Sequence, residues 1–149
     1  MNSKNNYQGL IVAGTHSSAG KSSVSMGLMR LLKDSGWSIK PFKVGPDYID
    51  PAHHTRACNQ PSYNLDTVMC TKKYVKDLFD DVVQKNDLAI IEGVMGLYDG
   101  ASPISEKGST AEIAKLLNLP VLLVIDGRAL SRSSAAMVLG FLQLDPKLN

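Results

Sequence analysis

Gly14-Thr15-His16-Ser17-Ser18-Ala19-Gly20-Lys21-Ser22-Ser23 follows an apolar run, Leu10-Ile11-Val12-Ala13, and leads into a stretch with helical periodicity. A strand, a Gly/Ser-rich turn and a helix in that order are the setting a phosphate-binding loop needs. Small residues let backbone N–H groups converge on phosphate oxygens. The start of the helix adds its partial positive charge. In such a loop Lys21 reaches the β- and γ-phosphates and the Ser22 hydroxyl ligates Mg²⁺. All ten residues of the loop are therefore candidate nucleotide contacts. The strict GxxxxGK[ST] spacing would put its first glycine at Thr15. Here Gly14 stands one residue earlier. His16 serves nucleotide, substrate or packing equally well.

The remaining pattern alternates short apolar runs with amphipathic stretches. A helix is predicted over Lys21–Asp34, with Val24, Leu28, Leu31 and Leu32 on one face and Gly36 ending it. Ser38–Val44 reads as a strand in which Pro41 marks an edge or a short element. Residues 45–70 read as irregular, broken by Pro46, Pro51 and Pro61. A helix follows near 73–84, and a third strand is predicted over 88–91. A helix over 109–117 opens with a Ser109/Glu112 capping box. A strand over 121–125 and a helix over Ser133–Leu144 complete the pattern. Continuous apolar strands alternating with helices predict an α/β fold, a mostly parallel P-loop NTPase-like sheet with helices on both faces. No strand returns after the final helix. Either that helix caps the sheet, or the sheet is incomplete and the chain is cut inside its domain.

The chain has 149 residues, 44% of them hydrophobic and 20% charged, with a formal net charge of +2. That length allows one domain. The charge bias is too weak to argue for nucleic acid or a membrane surface as partner. No run of about 18 apolar residues is present to cross a bilayer. Residues 1–8 are polar and lack an apolar signal segment. Cys58 and Cys70 show no CxxC spacing and are expected to be reduced thiols. The expected compartment is the cytoplasm.

Phosphates call for a cation, and the cation calls for carboxylates at the carboxyl ends of strands. The second strand leads into Lys43-Val44-Gly45-Pro46-Asp47-Tyr48-Ile49-Asp50-Pro51, and the third into Glu92-Gly93-Val94-Met95-Gly96-Leu97-Tyr98-Asp99-Gly100. Glu92 ends its strand and points into the crevice above the sheet. Asp47 and Asp50 flank a proline-bounded turn, and Lys43 adds a cation. Asp beside Pro also starts ordinary turns, and Asp99-Gly100 is an ordinary turn dipeptide. Neighbouring His53 and His54 cannot share one metal as an i, i+4 helical pair could. A structural or anion-binding role is expected of them rather than zinc.

Taken in order, GTHSSAGKSS, KVGPDYIDPAHH, EGVMGLYDG and GSTAEIAKLLNLPVLLVID resemble the cobyrinic acid a,c-diamide synthase family over essentially the whole chain. The Gly-Thr start of the loop resembles dethiobiotin synthetases. The resemblance implies a dethiobiotin synthetase-like, N-terminal ATP-binding amide-synthetase domain over residues 1–149. It also implies a glutamine amidotransferase domain that this chain lacks. The implied chemistry is ATP-dependent amidation of the a and c carboxylates of a corrin, cobyrinic acid, through an acyl phosphate. Lys21 and Ser22 match the loop lysine and the Mg²⁺-ligating hydroxyl, and Asp47 and Glu92 match acidic residues around Mg²⁺. Lys43 matches a second phosphate-directed lysine. Asp50 and Asp99 match positions for catalysis or substrate positioning, and Tyr48 a position near the corrin.

Neither Cys58 nor Cys70 lies in a glycine-flanked nucleophile turn, and no histidine follows His54. Glutamine hydrolysis by this chain is therefore not expected. The expectation is a fragment that binds nucleotide, with self-association to a homodimer through an uncovered sheet edge. The rival readings are a dethiobiotin synthetase-like carboxylase, the related cobyric acid synthase and a partitioning-type ATPase switch. The last commonly carries a further lysine early in the loop, where Gly14, Thr15 and His16 stand here.

Overall fold

A computed structural model describes residues 8–148. The polar stretch 1–7 of the N-terminal reading lies outside the described residues. Five strands form one sheet: β1 (Gln8–Gly14), β2 (Ser38–Val44), β3 (Tyr63–Leu65), β4 (Asp87–Glu92) and β5 (Val121–Val124). Their order is β3-β2-β4-β1-β5, and every pairing is parallel. The helices are α1 (Lys21–Asp34), α2 (Ile49–Cys58), α3 (Lys72–Val82), α4 (Thr110–Leu117) and α5 (Ser133–Leu144). None of the described helices is long and apolar enough to cross a membrane.

Alternation along the strands divides the core in two. Ile11, Phe42, Val44, Ala89 and Ile91 face one way and pack with Val75 and Phe79 of α3 and Ile113, Ala114 and Leu117 of α4. Val12, Ile39 and Ile90 face the other way and pack with Met29 of α1 and Cys58 of α2. Both faces of the sheet are thus covered, as parallel strands require. On α1 the buried anchor is Met29, whereas Leu31 is exposed, so the predicted apolar face is rotated slightly.

Two predictions fail for reasons of position. β2 is internal, not an edge, although it contains Pro41. β3 pairs only with Phe42, Lys43 and Val44, so β2 is still unflanked on that side at Pro41. The stretch 45–70 is not irregular, since it holds α2 and β3. Pro51 sits in the first turn of α2, where a missing N–H costs no helical hydrogen bond. The Asp47 carboxylate accepts from the amides of Ile49 (2.8 Å) and Asp50 (3.1 Å) and so starts that helix.

The capping box at α4 is half realised. Ser109 Oγ accepts from the Glu112 amide at 3.0 Å. Glu112 turns elsewhere, to Thr67 Oγ1, the Gly108 amide (2.7 Å) and Lys72 (2.8 Å). Burial opposes the Glu112 charge most strongly, but Lys72, Thr67 and the Gly108 amide outweigh it and hold its pKa below the usual carboxylate range.

Beyond β1 the packing thins. β5 is an edge strand with Leu122 exposed. α5 buries none of its residues and leaves Leu139, Leu142 and Leu144 largely exposed. Tyr98 attaches it by donating to the Phe141 carbonyl at 2.7 Å, with the two rings 5.6 Å apart.

A lowered folded-state pKa adds stability that is present above the ordinary carboxylate value and lost as pH falls through the lowered one. Denaturation of wild type and Glu112→Gln should therefore differ at neutral pH and converge in acid; a pH-independent gap would contradict this. The bare β5 edge and apolar α5 predict concentration-dependent self-association. Sedimentation equilibrium should show apparent mass rising with concentration, and a constant single-chain mass would refute it.

Candidate functional site

The carboxyl ends of the three central strands, β2, β4 and β1, lie side by side. Lys43 and Glu92 are register partners on β2 and β4, so their side chains rise from the same face at the same level. That face is the one covered by α1 and α2. Val12 on β1 pairs with Glu92 from the other side, and β1 continues into the loop that starts α1.

Glu92 is fully buried, and three elements donate to it. Ser22 Oγ at the start of α1 donates to Oε1 at 2.6 Å, Lys43 Nζ donates to Oε1 at 3.0 Å, and His54 Nε2 of α2 lies 2.7 Å from Oε2. Burial alone would push the Glu92 carboxyl up. The hydrogen bonds from His54 and Ser22, with the Lys43 charge, reverse that and hold it well below the usual range. Lys43 also ion-pairs with Asp50 at 2.6 Å. Burial works against the Lys43 charge, but Asp50 and Glu92 prevail and raise its pKa.

Lys21 is the opposite case. It is 7% exposed, and its Nζ donates to the carbonyls of Met95 (2.6 Å) and His16 (3.2 Å). Among the described residues it forms no ion pair with a carboxylate. Burial, then repulsion from Lys43, lowers its pKa. The N-terminus of α1 is similarly open. Its N-cap, Gly20, adopts φ 101°, a left-handed conformation suited to glycine, and no side chain caps the helix. The first-turn amides thus have no partner within α1.

These groups line one cleft of about 480 Å³, bordered by Ser17, Ser18, Gly20, Lys21, Ser22, Ser23, Lys43, Asp47, Asp50, Glu92, Val94 and Met95. The structure therefore brings together most of the loop, both lysines and three of the four candidate carboxylates. A larger opening, about 780 Å³, shares none of these residues, and its Lys72 and Glu112 already pair with each other.

Several candidates stand apart from the cleft wall. Gly14 ends β1 and its carbonyl accepts from the Leu97 amide. The Thr15 amide donates to the Val124 carbonyl, extending the β1–β5 contact instead of facing the cleft. Ala19 is packed inside the loop, and His16 is exposed with Nδ1 2.6 Å from the Ser17 carbonyl. Asp99 accepts from the Gly96 amide at 3.0 Å and so shapes the turn after β4, within electrostatic reach of Lys21. Tyr48 is 89% exposed just outside the cleft. At Gly93 a side chain would strike Thr110 Oγ1 at 2.7 Å and the Val12 carbonyl at 3.1 Å. Close packing against α4 and β1 explains this glycine.

Sequence reasoning expected a structural or anion-binding role of His54 but missed its link to Glu92. It is fully buried, with Nδ1 3.3 Å from Ser62 Oγ. Its signal was the four-residue spacing from Asp50, which on a helix puts both side chains on the face toward Lys43 and Glu92. Met95 was also missed. Its backbone adopts φ 46°, and its carbonyl accepts from Lys21.

Comparison with known proteins yields two findings. The profile of the AAA domain family matches residues 8–144. Cobyrinate a,c-diamide synthase of Methanobrevibacter smithii is 50% identical over 140 residues, which are 94% of this chain and 31% of that protein. The proteins of the same name from Syntrophotalea carbinolica and Salmonella typhimurium are 48% and 47% identical, covering 94% and 96% of this chain and 30% and 31% of theirs. The chain thus spans about a third of the length of these relatives.

Replacing Glu92 with Gln leaves three donors facing a neutral amide with one acceptor oxygen. Asp50 still neutralises Lys43, so the expected loss is about 3 kcal/mol, the low end for a broken buried pair. Urea denaturation measures it, and an unchanged midpoint would show that the cluster does not hold the fold.

Proposed function

As this chain belongs to the AAA domain family over residues 8–144, we propose that its cleft binds ATP with Mg²⁺ and uses it to activate carboxylates of a corrin for amide formation. The observation that carries this is Lys21: a buried ammonium with carbonyl partners, next to an uncapped helix start. Such a place calls for an anion, and the triphosphate supplies it.

The donor set suits Mg²⁺, a hard cation that prefers oxygen. Ser22, Glu92 and Asp47 would hold it, and Ser22 and Glu92 already share a hydrogen bond. Asp47 Oδ1 is committed to the amides of α2, so a cation contact falls to Oδ2. Bound there, Mg²⁺ supplies charge neutralisation at the β- and γ-phosphate oxygens. Lys21 exchanges its carbonyl partners for the same oxygens. Lys43, held by Asp50, offsets the repulsion between an incoming carboxylate and the γ-phosphate. The amides of Ser17 to Ser23 cradle the phosphates, and Asp99 keeps the turn that presents the Met95 carbonyl.

The substrate reading rests on the relatives named cobyrinate a,c-diamide synthase. On that reading a corrin acetate attacks the γ-phosphorus, ADP leaves, and ammonia displaces phosphate from the acyl phosphate. The a and c acetates of cobyrinic acid are the acceptors, with exposed Tyr48 beside the cleft as a corrin contact. Ammonia comes from the glutamine amidotransferase domain that the resemblance implies. The cytoplasm, where ATP and Mg²⁺ are abundant, is the proposed compartment.

Titration calorimetry tests the nucleotide step. Wild type should bind Mg-ATP, and Lys21→Ala should weaken it on the order of 10- to 100-fold, as loss of ~1.5–3 kcal/mol from a charged hydrogen-bonding group implies. A folded wild type that takes up no Mg-ATP would overturn the proposal.

A further inference from the structure

Glu92 has two carboxylate oxygens, and they face different surroundings. Oε1 meets Ser22 and Lys43, both of which line the cleft. Oε2 meets His54, which is fully buried and is not part of the cleft wall. An ionised carboxylate only accepts hydrogen bonds, so His54 Nε2 carries the hydrogen. On the other side of the ring Ser62 Oγ lies 3.3 Å from Nδ1. The ring is thus engaged at both nitrogens, which fixes its plane.

We infer that His54 is a positioning residue: it ties down Glu92 Oε2 so that Oε1 alone is turned, at fixed reach, toward the hydroxyl of Ser22, with which it would hold the cation. Without that tie the carboxylate can rotate about its last torsion, which is broad for glutamate. It can then offer either oxygen or collapse wholly onto Lys43. Groups that orient a metal-binding side chain from behind commonly change metal affinity 10- to 100-fold. The placement comes from α2: Asp50 and His54 lie one turn apart, so the same helix face holds Lys43 through one residue and Glu92 through the other. His54 therefore acts through Glu92 and does not touch nucleotide.

This inference rests on the reading of the cleft as a Mg-nucleotide site, and the test separates the two. ATP affinity is measured by calorimetry with Mg²⁺ and again in EDTA, for wild type, H54Q, H54F and H54M. Glutamine keeps an N–H donor at similar reach; phenylalanine and methionine fill space without one. Two donor-free variants are used so that one failing to fold leaves the other to decide. Wild type should bind more tightly with Mg²⁺. In H54F and H54M that enhancement should fall roughly 10- to 100-fold, with affinity in EDTA unchanged, and H54Q should keep most of it. Donor-free variants with the full Mg²⁺ enhancement would overturn the inference and leave the nucleotide reading intact. Equal losses with and without Mg²⁺ would assign His54 a merely structural role, and an H54Q as impaired as H54F would exclude the hydrogen bond as the cause. A wild type that binds no ATP would overturn both readings.

Discussion

The fold around the cleft depends on one desolvated carboxylate. Glu92 has no contact with solvent, and a buried charge of that kind survives only if its oxygens are fully engaged. Three elements distant in sequence meet that demand: the first turn of α1 through Ser22, β2 through Lys43 and α2 through His54. Each of these contacts fixes an element that borders the cleft. The charge is thus a constraint on the relative placement of α1, α2 and the sheet, beyond what apolar packing between them specifies. Lys43 carries the constraint one step further, to Asp50, and Asp47 secures the start of the helix on which Asp50 sits.

Against this ion-paired cluster, Lys21 stands out because, among the described residues, no carboxylate lies within ion-pair distance of it, although Glu92, Asp50 and Asp99 favour its charge from further away. Its ammonium rests on two carbonyl oxygens, and its affinity for a proton is reduced by burial and by Lys43. The two lysines therefore have different tasks although both are buried at strand ends. Lys43 is set in position by its ion pairs with Asp50 and Glu92. Lys21 is held in reserve by weaker partners that an anion can replace.

Much of this was legible in the sequence. The continuous apolar runs gave β1, β4 and β5 within a residue or two, and α1 and α5 match their predicted bounds. The loop lysine, Ser22 and Glu92 were identifiable because each follows a strand or opens a helix. The stretch between β2 and α3 was not legible. Pro51 reads as a breaker in a linear scan, but proline in the first turn of a helix removes no bond, and only the hydrogen bond from the Ile49 amide to the Asp47 carboxylate shows where that turn begins. Misreading α2 concealed the contact of His54 with Glu92, since the relation of positions 50 and 54 has meaning only on a helix. The internal position of β2 was hidden for a similar reason. Whether Pro41 is tolerated depends on where β3 begins, a fact of register that no local pattern contains.

The order of strands has a consequence for how the chain reaches this state. Among the described residues β1 pairs only with β4 and β5; its first residue, Gln8, is matched to Leu88. During synthesis, then, the strand that carries the phosphate loop has no neighbour until β4 has emerged, and β2 and β3 can at most form a two-stranded patch before that. Contacts so distant in sequence must overcome a large loop-closure entropy before they return any stabilisation. The Glu92 cluster sits at the far end of the strand that closes this gap. Ser22, Lys43 and His54 therefore all lack their shared carboxylate partner until β4 arrives, and assembly of the cleft coincides with completion of the sheet centre instead of preceding it.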